Sequence, residues 1–175
     1  MLREYQGICP RCRINTGSVG QACPNPDCLT HQYNYIPILA YDAAIAQAEK
    51  RGGRIDPWLG RRFDRYLLCG KAGEGGMGTV YIALQAPLNR EVALKVMTSI
   101  SVSREALARF ESEAKALSTL DHPNVLKLFD FGFGNMDGQT VPYMVLEFIK
   151  HGRTLKKVFQ QDIEAFGAMR DDTRL

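Results

Sequence analysis

The chain has 175 residues, 45% of them apolar, enough to bury one ordinary core and a small annex. Its 22 basic and 19 acidic residues leave a net charge of +3, too small to argue for nucleic acid or an anionic membrane on charge alone. No apolar run approaches the ~18 residues a spanning helix needs, and Met1 to Gly7 lacks the apolar stretch of a signal peptide, so the expectation is a cytoplasmic chain with no membrane partner.

Residues 1–38 are turn-rich, with Pro10, Pro24, Pro26 and Pro37, and any order there needs an external staple. Tyr41 to Arg51 is alanine-rich and predicts a short helix ended by Gly52-Gly53, followed by a linker over 54–64. From Arg65 onward strand signals dominate. Tyr66-Leu67-Leu68 precedes a glycine-rich stretch and Thr79 to Leu84 follows it, which predicts a hairpin; Pro87-Leu88-Asn89 is a turn, and Glu91 to Met97 is a third strand with Ala93 and Lys95 on one face. Leu107, Phe110, Ala114, Leu117 and Leu120 follow helical spacing, predicting one long helix over 103–120 with Ser103 as N-cap. Two more strands are predicted, Val125 to Phe133 and Val141 to Phe148, separated by a turn at Gly134 to Gly138.

Gly73-x-Gly75-x-x-Gly78 is a weak signal alone, because any loop that brings backbone N–H groups to phosphate oxygens uses glycine this way. Context narrows it. A dinucleotide fold opens a helix at the third glycine, whereas Thr79-Val80-Tyr81 continues as a strand. A Walker loop would need a glycine five residues before Gly70-Lys71, where Arg65 stands. The run Ala72-Gly73-Glu74-Gly75-Gly76-Met77-Gly78-Thr79-Val80-Tyr81, followed by Val92-Ala93-Leu94-Lys95, resembles the N-terminal lobe of a bacterial eukaryotic-like (Hanks-type) serine/threonine protein kinase.

That resemblance implies an α+β fold, a five-stranded antiparallel sheet with one long helix. It implies that residues 72–80 cover ATP and that Lys95 meets the α- and β-phosphates and pairs with Glu113 of the helix. The residues agree, since Glu113 lies three after Phe110 and four before Leu117, on the apolar seam, where a carboxylate needs a partner; Glu111 reads as solvated. By the same resemblance Val80 and Ala93 wall the adenine, Leu146 is the gatekeeper, and the Glu147 carbonyl and Ile149 N–H meet the purine edge. Ala72 departs from the family, which usually places Leu, Ile or Val over the base. Asp130-Phe131-Gly132 spells a magnesium-holding tripeptide, but it sits at a strand end, and no His-Arg-Asp precedes it. His122-Pro123-Asn124 matches a structural turn, and His151 reads as a loop residue. Magnesium ligands and a catalytic base are therefore absent from these residues, and 151–175 matches only the start of a second lobe.

Cys9-Pro10-Arg11-Cys12 and Cys23 to Cys28 are two close pairs whose spacing lets four thiolates converge on one zinc ion. A set including His31 and a set of unliganded thiols stay open. Cys69, alone in a strand, reads as a buried packing residue. The domain reading is 1–38 zinc-ribbon-like, 39–64 short helix and linker, 65–150 kinase N-lobe and 151–175 truncated C-lobe. The functional reading is the ATP-binding portion of a kinase with a protein substrate when completed by a C-lobe, inactive alone. The alternative is a noncatalytic nucleotide-binding or protein-interaction module. Nucleic acid is not expected, because Arg11 and Arg13 lack interleaved aromatics.

Overall fold

The computed structural model describes residues 6–50, 52–76, 78–97 and 104–150; Met77, Ser103, His151 and the rest of 151–175 lie outside the described residues. At the N-terminus β1 (Gln6–Ile8) pairs antiparallel with β2 (Asn15–Ser18) and β3 (Ile36–Pro37), in the order β2-β1-β3. A five-residue helix, α1 (Pro26–Thr30), lies between them; the Asn25 side chain accepts from the Asp27 N–H at 3.1 Å, and Pro26 occupies the first turn, where a missing N–H costs nothing. So short a helix has no stability of its own.

Helix α2 (Ile38–Glu49) starts directly after β3, earlier than the predicted Tyr41, because the chain turns from sheet to helix at Pro37. Tyr41, Ala44 and Ala48 are its buried stripe. The predicted stop holds: Gly52 and Gly53 have φ of +94° and +83°, and the Gly53 N–H donates to the Ala48 carbonyl at 2.8 Å.

The main sheet has six antiparallel strands rather than the five expected: β4 (Arg62–Phe63), β5 (Tyr66–Gly75), β6 (Gly78–Gln85), β7 (Arg90–Val96), β8 (Leu128–Met136) and β9 (Gln139–Glu147), in the order β4-β5-β6-β7-β9-β8. The extra strand comes from the predicted linker. Asp64, at φ +53°, turns the chain so that Phe63 pairs with Tyr66, and the fully buried Phe63 ring fills the space left by Gly134 on β8. That same glycine lets β8 run through the predicted turn, which shrinks to Asp137-Gly138, both at positive φ as a two-residue hairpin requires. Helix α3 (Arg104–Ser118) joins β7 to β8.

The two faces of this sheet have different neighbours. Tyr81, Ala83, Val92, Leu94, Val96 and Val145 point into the main core with Trp58, Phe63, Tyr66 and Tyr143. The opposite face carries Val80, Ile82 and Leu84 across from Lys95, Ala93 and Glu91, and then Met144 and Leu146 on β9. At one end of that face Leu67, Cys69 and Leu84 pack with Ile36, Tyr41 and Ile8 of the annex. At the other end Met144 packs with Met97 and with Phe110 and Ala114 of α3. Among the described residues no helix is long and apolar enough to cross a membrane.

Candidate functional site

Between those two covered ends lies a strip of sheet where Val80, Ala93, Lys95 and Leu146 are all only half-buried. The register explains why they meet. Val80 stands opposite Lys95, and Ala93 stands opposite Leu146 on the next strand, so all four side chains emerge on one face. The glycine hairpin adjoins the Val80 and Lys95 end, with Gly73 opposite Val80, Glu74 opposite Thr79 and Gly75 opposite Gly78. Gly78 is irreplaceable on steric grounds: its φ is +123°, and a Cβ there would stand 2.1 Å from the Val96 carbonyl oxygen. At Gly73, Gly75 and Gly76 a Cβ would meet nothing within 4 Å, so that backbone is open to an incoming group. Thr79 is buried and Ala72 is exposed beside the strip. At the far end the Glu147 N–H donates to the Lys127 carbonyl at 2.8 Å, which holds the last residue of β9, while Ile149 beyond it is exposed.

Glu113 is placed otherwise than the sequence reading expected. No ion pair joins it to Lys95 among the described residues, and its side chain is exposed, whereas Glu111 is half-buried. The buried stripe of α3 runs through Phe110 and Ala114. At ~100° per residue Glu113 falls about 60° to one side of Phe110, on the border of that stripe rather than within it. An unpaired carboxylate is far cheaper in water there than against Met144.

The sequence reading missed a charged cluster beside the hairpin. Lys71 Nζ lies 2.9 Å from Glu74 Oε2 and 3.3 Å from Asp56 Oδ2, and the Tyr81 hydroxyl reaches the Asp56 carboxylate at 3.4 Å. Burial works against the Lys71 charge, but hydrogen bonds to Glu74 and Asp56 outweigh it and raise its pKa. Burial and then the Asp56 charge push the Tyr81 phenol up. Nothing local in the sequence announces this contact, because Asp56 lies in the linker, before the strand that carries Lys71. Asp130 has a structural role: mid-strand in β8, it receives the Arg65 guanidinium and the Tyr66 hydroxyl, the latter at 2.9 Å.

In the annex the four cysteines converge. The sulfurs of Cys9, Cys12, Cys23 and Cys28 all lie within 4.8 Å of one another, with Cys9 to Cys28 at 3.7 Å and Cys12 to Cys23 at 3.6 Å. A tetrahedron of sulfurs each ~2.3 Å from a zinc ion has edges of about 3.8 Å, so the donor set fits that ion. Burial raises the thiol pKa of Cys9 and of Cys28. His31 does not join the cluster; its Nδ1 lies 2.8 Å from the Asp27 carbonyl oxygen. Arg11 is paired with Asp27 at 3.0 Å. Cys69 is buried among apolar neighbours, as expected.

The family model described as the protein kinase domain matches residues 66–170. The chain belongs to the protein kinase family. Among curated proteins, this kinase lobe is similar to the serine/threonine-protein kinase PksC of Streptomyces coelicolor, at 39% identity over 63% of this chain and 20% of that protein. It is also similar to the serine/threonine-protein kinase PrkC of Bacillus subtilis, at 37% identity over 57% of this chain and 15% of that one. A solved structure described as the apo form of PpkA-294 superposes with a TM-score of 0.52 at 28% identity, covering 61% of this chain and 43% of that chain. The relatives make this a bacterial Hanks-type kinase sequence, and it spans about a fifth or less of their length. The match begins at Tyr66, so the cysteine annex lies outside it.

Proposed function

We propose that the strip between annex and α3 binds ATP with magnesium, as the nucleotide half of a serine/threonine protein kinase whose phosphoryl acceptor is a protein hydroxyl. One observation carries this reading: the open glycine hairpin adjoins a face on which Lys95, Val80, Ala93 and Leu146 are brought side by side. In it the N–H groups of residues 73–79 donate to phosphate oxygens, and Lys95 neutralises charge on the α- and β-phosphates. Val80, Ala93 and Leu146 give the adenine an apolar wall, and the Glu147 carbonyl and Ile149 N–H meet its edge. Magnesium, when bound with the nucleotide, screens the phosphates and orients them for transfer. In the nucleotide-bound state Glu113 turns onto Lys95 and fixes it. No His-Arg-Asp occurs in the 175 residues, so this chain alone is expected to transfer no phosphate.

The four cysteines hold structural zinc, a closed site with no position left for substrate. Cysteines used as metal ligands rather than as disulfides fit a reducing, cytoplasmic setting. A second reading, a noncatalytic nucleotide-binding or interaction module, is favoured by the exposure of Glu113 away from Lys95. Calorimetry separates the kinase reading from an interaction module that binds no nucleotide. Magnesium-dependent ATP binding that Lys95→Met abolishes supports the kinase reading; no ATP binding, or equal affinity in the variant, overturns it.

A further inference from the structure

We propose that Lys71 is a positioning residue for the phosphate-binding hairpin: it holds the Glu74 carboxylate on the face away from the incoming phosphates and anchors the hairpin to the linker through Asp56. The proposal rests on the nucleotide reading above and adds a control on that same site. Glu74 sits inside the glycine turn, directly opposite Thr79. A carboxylate there repels a triphosphate arriving at the same backbone. Lys71, three residues earlier, stands opposite Tyr81, whose ring lies in the main core, and so on the face of the sheet away from Lys95. Thr79, opposite Glu74, shares the face of Tyr81 and pairs with the core residue Val96, so the bond to Lys71 holds the acid on the side that the phosphates do not use.

The anchor is more firmly held than the group it restrains. The Asp56 side chain is 11% exposed, that of Lys71 18% and that of Glu74 61%. Asp56 Oδ1 accepts the Trp58 N–H at 2.9 Å, and the Tyr81 hydroxyl contacts both carboxylate oxygens. Trp58 is itself buried in the main core. Lys71, Glu74 and Asp56 line a cavity of about 280 Å³ shared with Ala44 and Gln47 of α2, so annex helix, linker and glycine strand meet at these three charges.

The test compares ATP with adenosine, which shares the base and lacks phosphates. In Lys71→Met the ATP Kd is expected to rise about fivefold, the effect of one screened like charge near the phosphates, while the adenosine Kd changes less than about twofold. Adding Glu74→Gln to Lys71→Met restores ATP affinity, and Lys71→Arg keeps it. If thermal melting shows that Lys71→Met does not fold, Asp56→Asn carries the test, with an ATP Kd about twofold higher at unchanged adenosine affinity. Equal losses for ATP and adenosine, no recovery on removing the Glu74 charge, or no ATP effect in any of these variants overturns the proposal. A parent chain that binds ATP no better than adenosine overturns the nucleotide reading itself, and this one with it.

Discussion

The annex end and the α3 end of one sheet face are closed in different ways. Annex closure combines an apolar cluster around Ile36, Tyr41, Leu67 and Cys69 with a four-sulfur cluster that a metal ion can lock. Closure by α3 rests on Phe110, Ala114 and Leu117 packed over Met97 and Met144, and the helix holds its acid, Glu113, out in water. The α3 end leaves Glu113 with no ion pair to Lys95 among the described residues.

The contrast breaks most readily at the four-sulfur cluster proposed to hold zinc. Stripping zinc with a chelator, or changing both Cys9 and Cys28 to Ser, is expected to remove ~10 kcal/mol or more of folding free energy from a segment with little core of its own. Metal analysis and far-ultraviolet circular dichroism would show stoichiometric zinc release and loss of α1, with the six-stranded sheet retained. At the α3 end, Phe110→Ala is expected to cost about 3 kcal/mol through loss of a fully buried ring. Urea unfolding followed by tryptophan fluorescence would measure it, and zinc content would not change. Gly78→Ala, forced against the Val96 carbonyl, is expected to cost about 2 kcal/mol and to weaken ATP more than adenosine. Glu113→Gln is the smallest in stability, within about 0.5 kcal/mol for an exposed side chain. ATP affinity nevertheless falls in that variant if the carboxylate turns onto Lys95, and an unchanged calorimetric Kd would remove Glu113 from the site.

Much of this was legible from the residues, and the misses have identifiable causes. The hairpin, the shared face of Ala93 and Lys95, and the stop at Gly52-Gly53 follow from alternation and glycine placement, which are local signals. Strand β4 was hidden because two residues are too few to show a period, and its existence depends on Phe63 reaching Gly134 far along the chain. Glu113 was misplaced because a seam inferred from Phe110 and Leu117 has a width, and Ala114 rather than Glu113 occupies its centre. The Asp56–Lys71–Glu74 cluster required knowing that the linker returns to lie beside β5, which no spacing rule supplies. The docking of α2 at the Lys95 face was invisible for the same reason.

Methyl-resolved NMR during titration with ATP and magnesium tests the central claim most directly. The account predicts shifts at Val80, Ala93 and Leu146 on the open strip, with Val92 and Leu94 on the core face and Ile36 in the annex left nearly unmoved. Shifts confined to the annex or the core face, or none at saturating nucleotide, would contradict it.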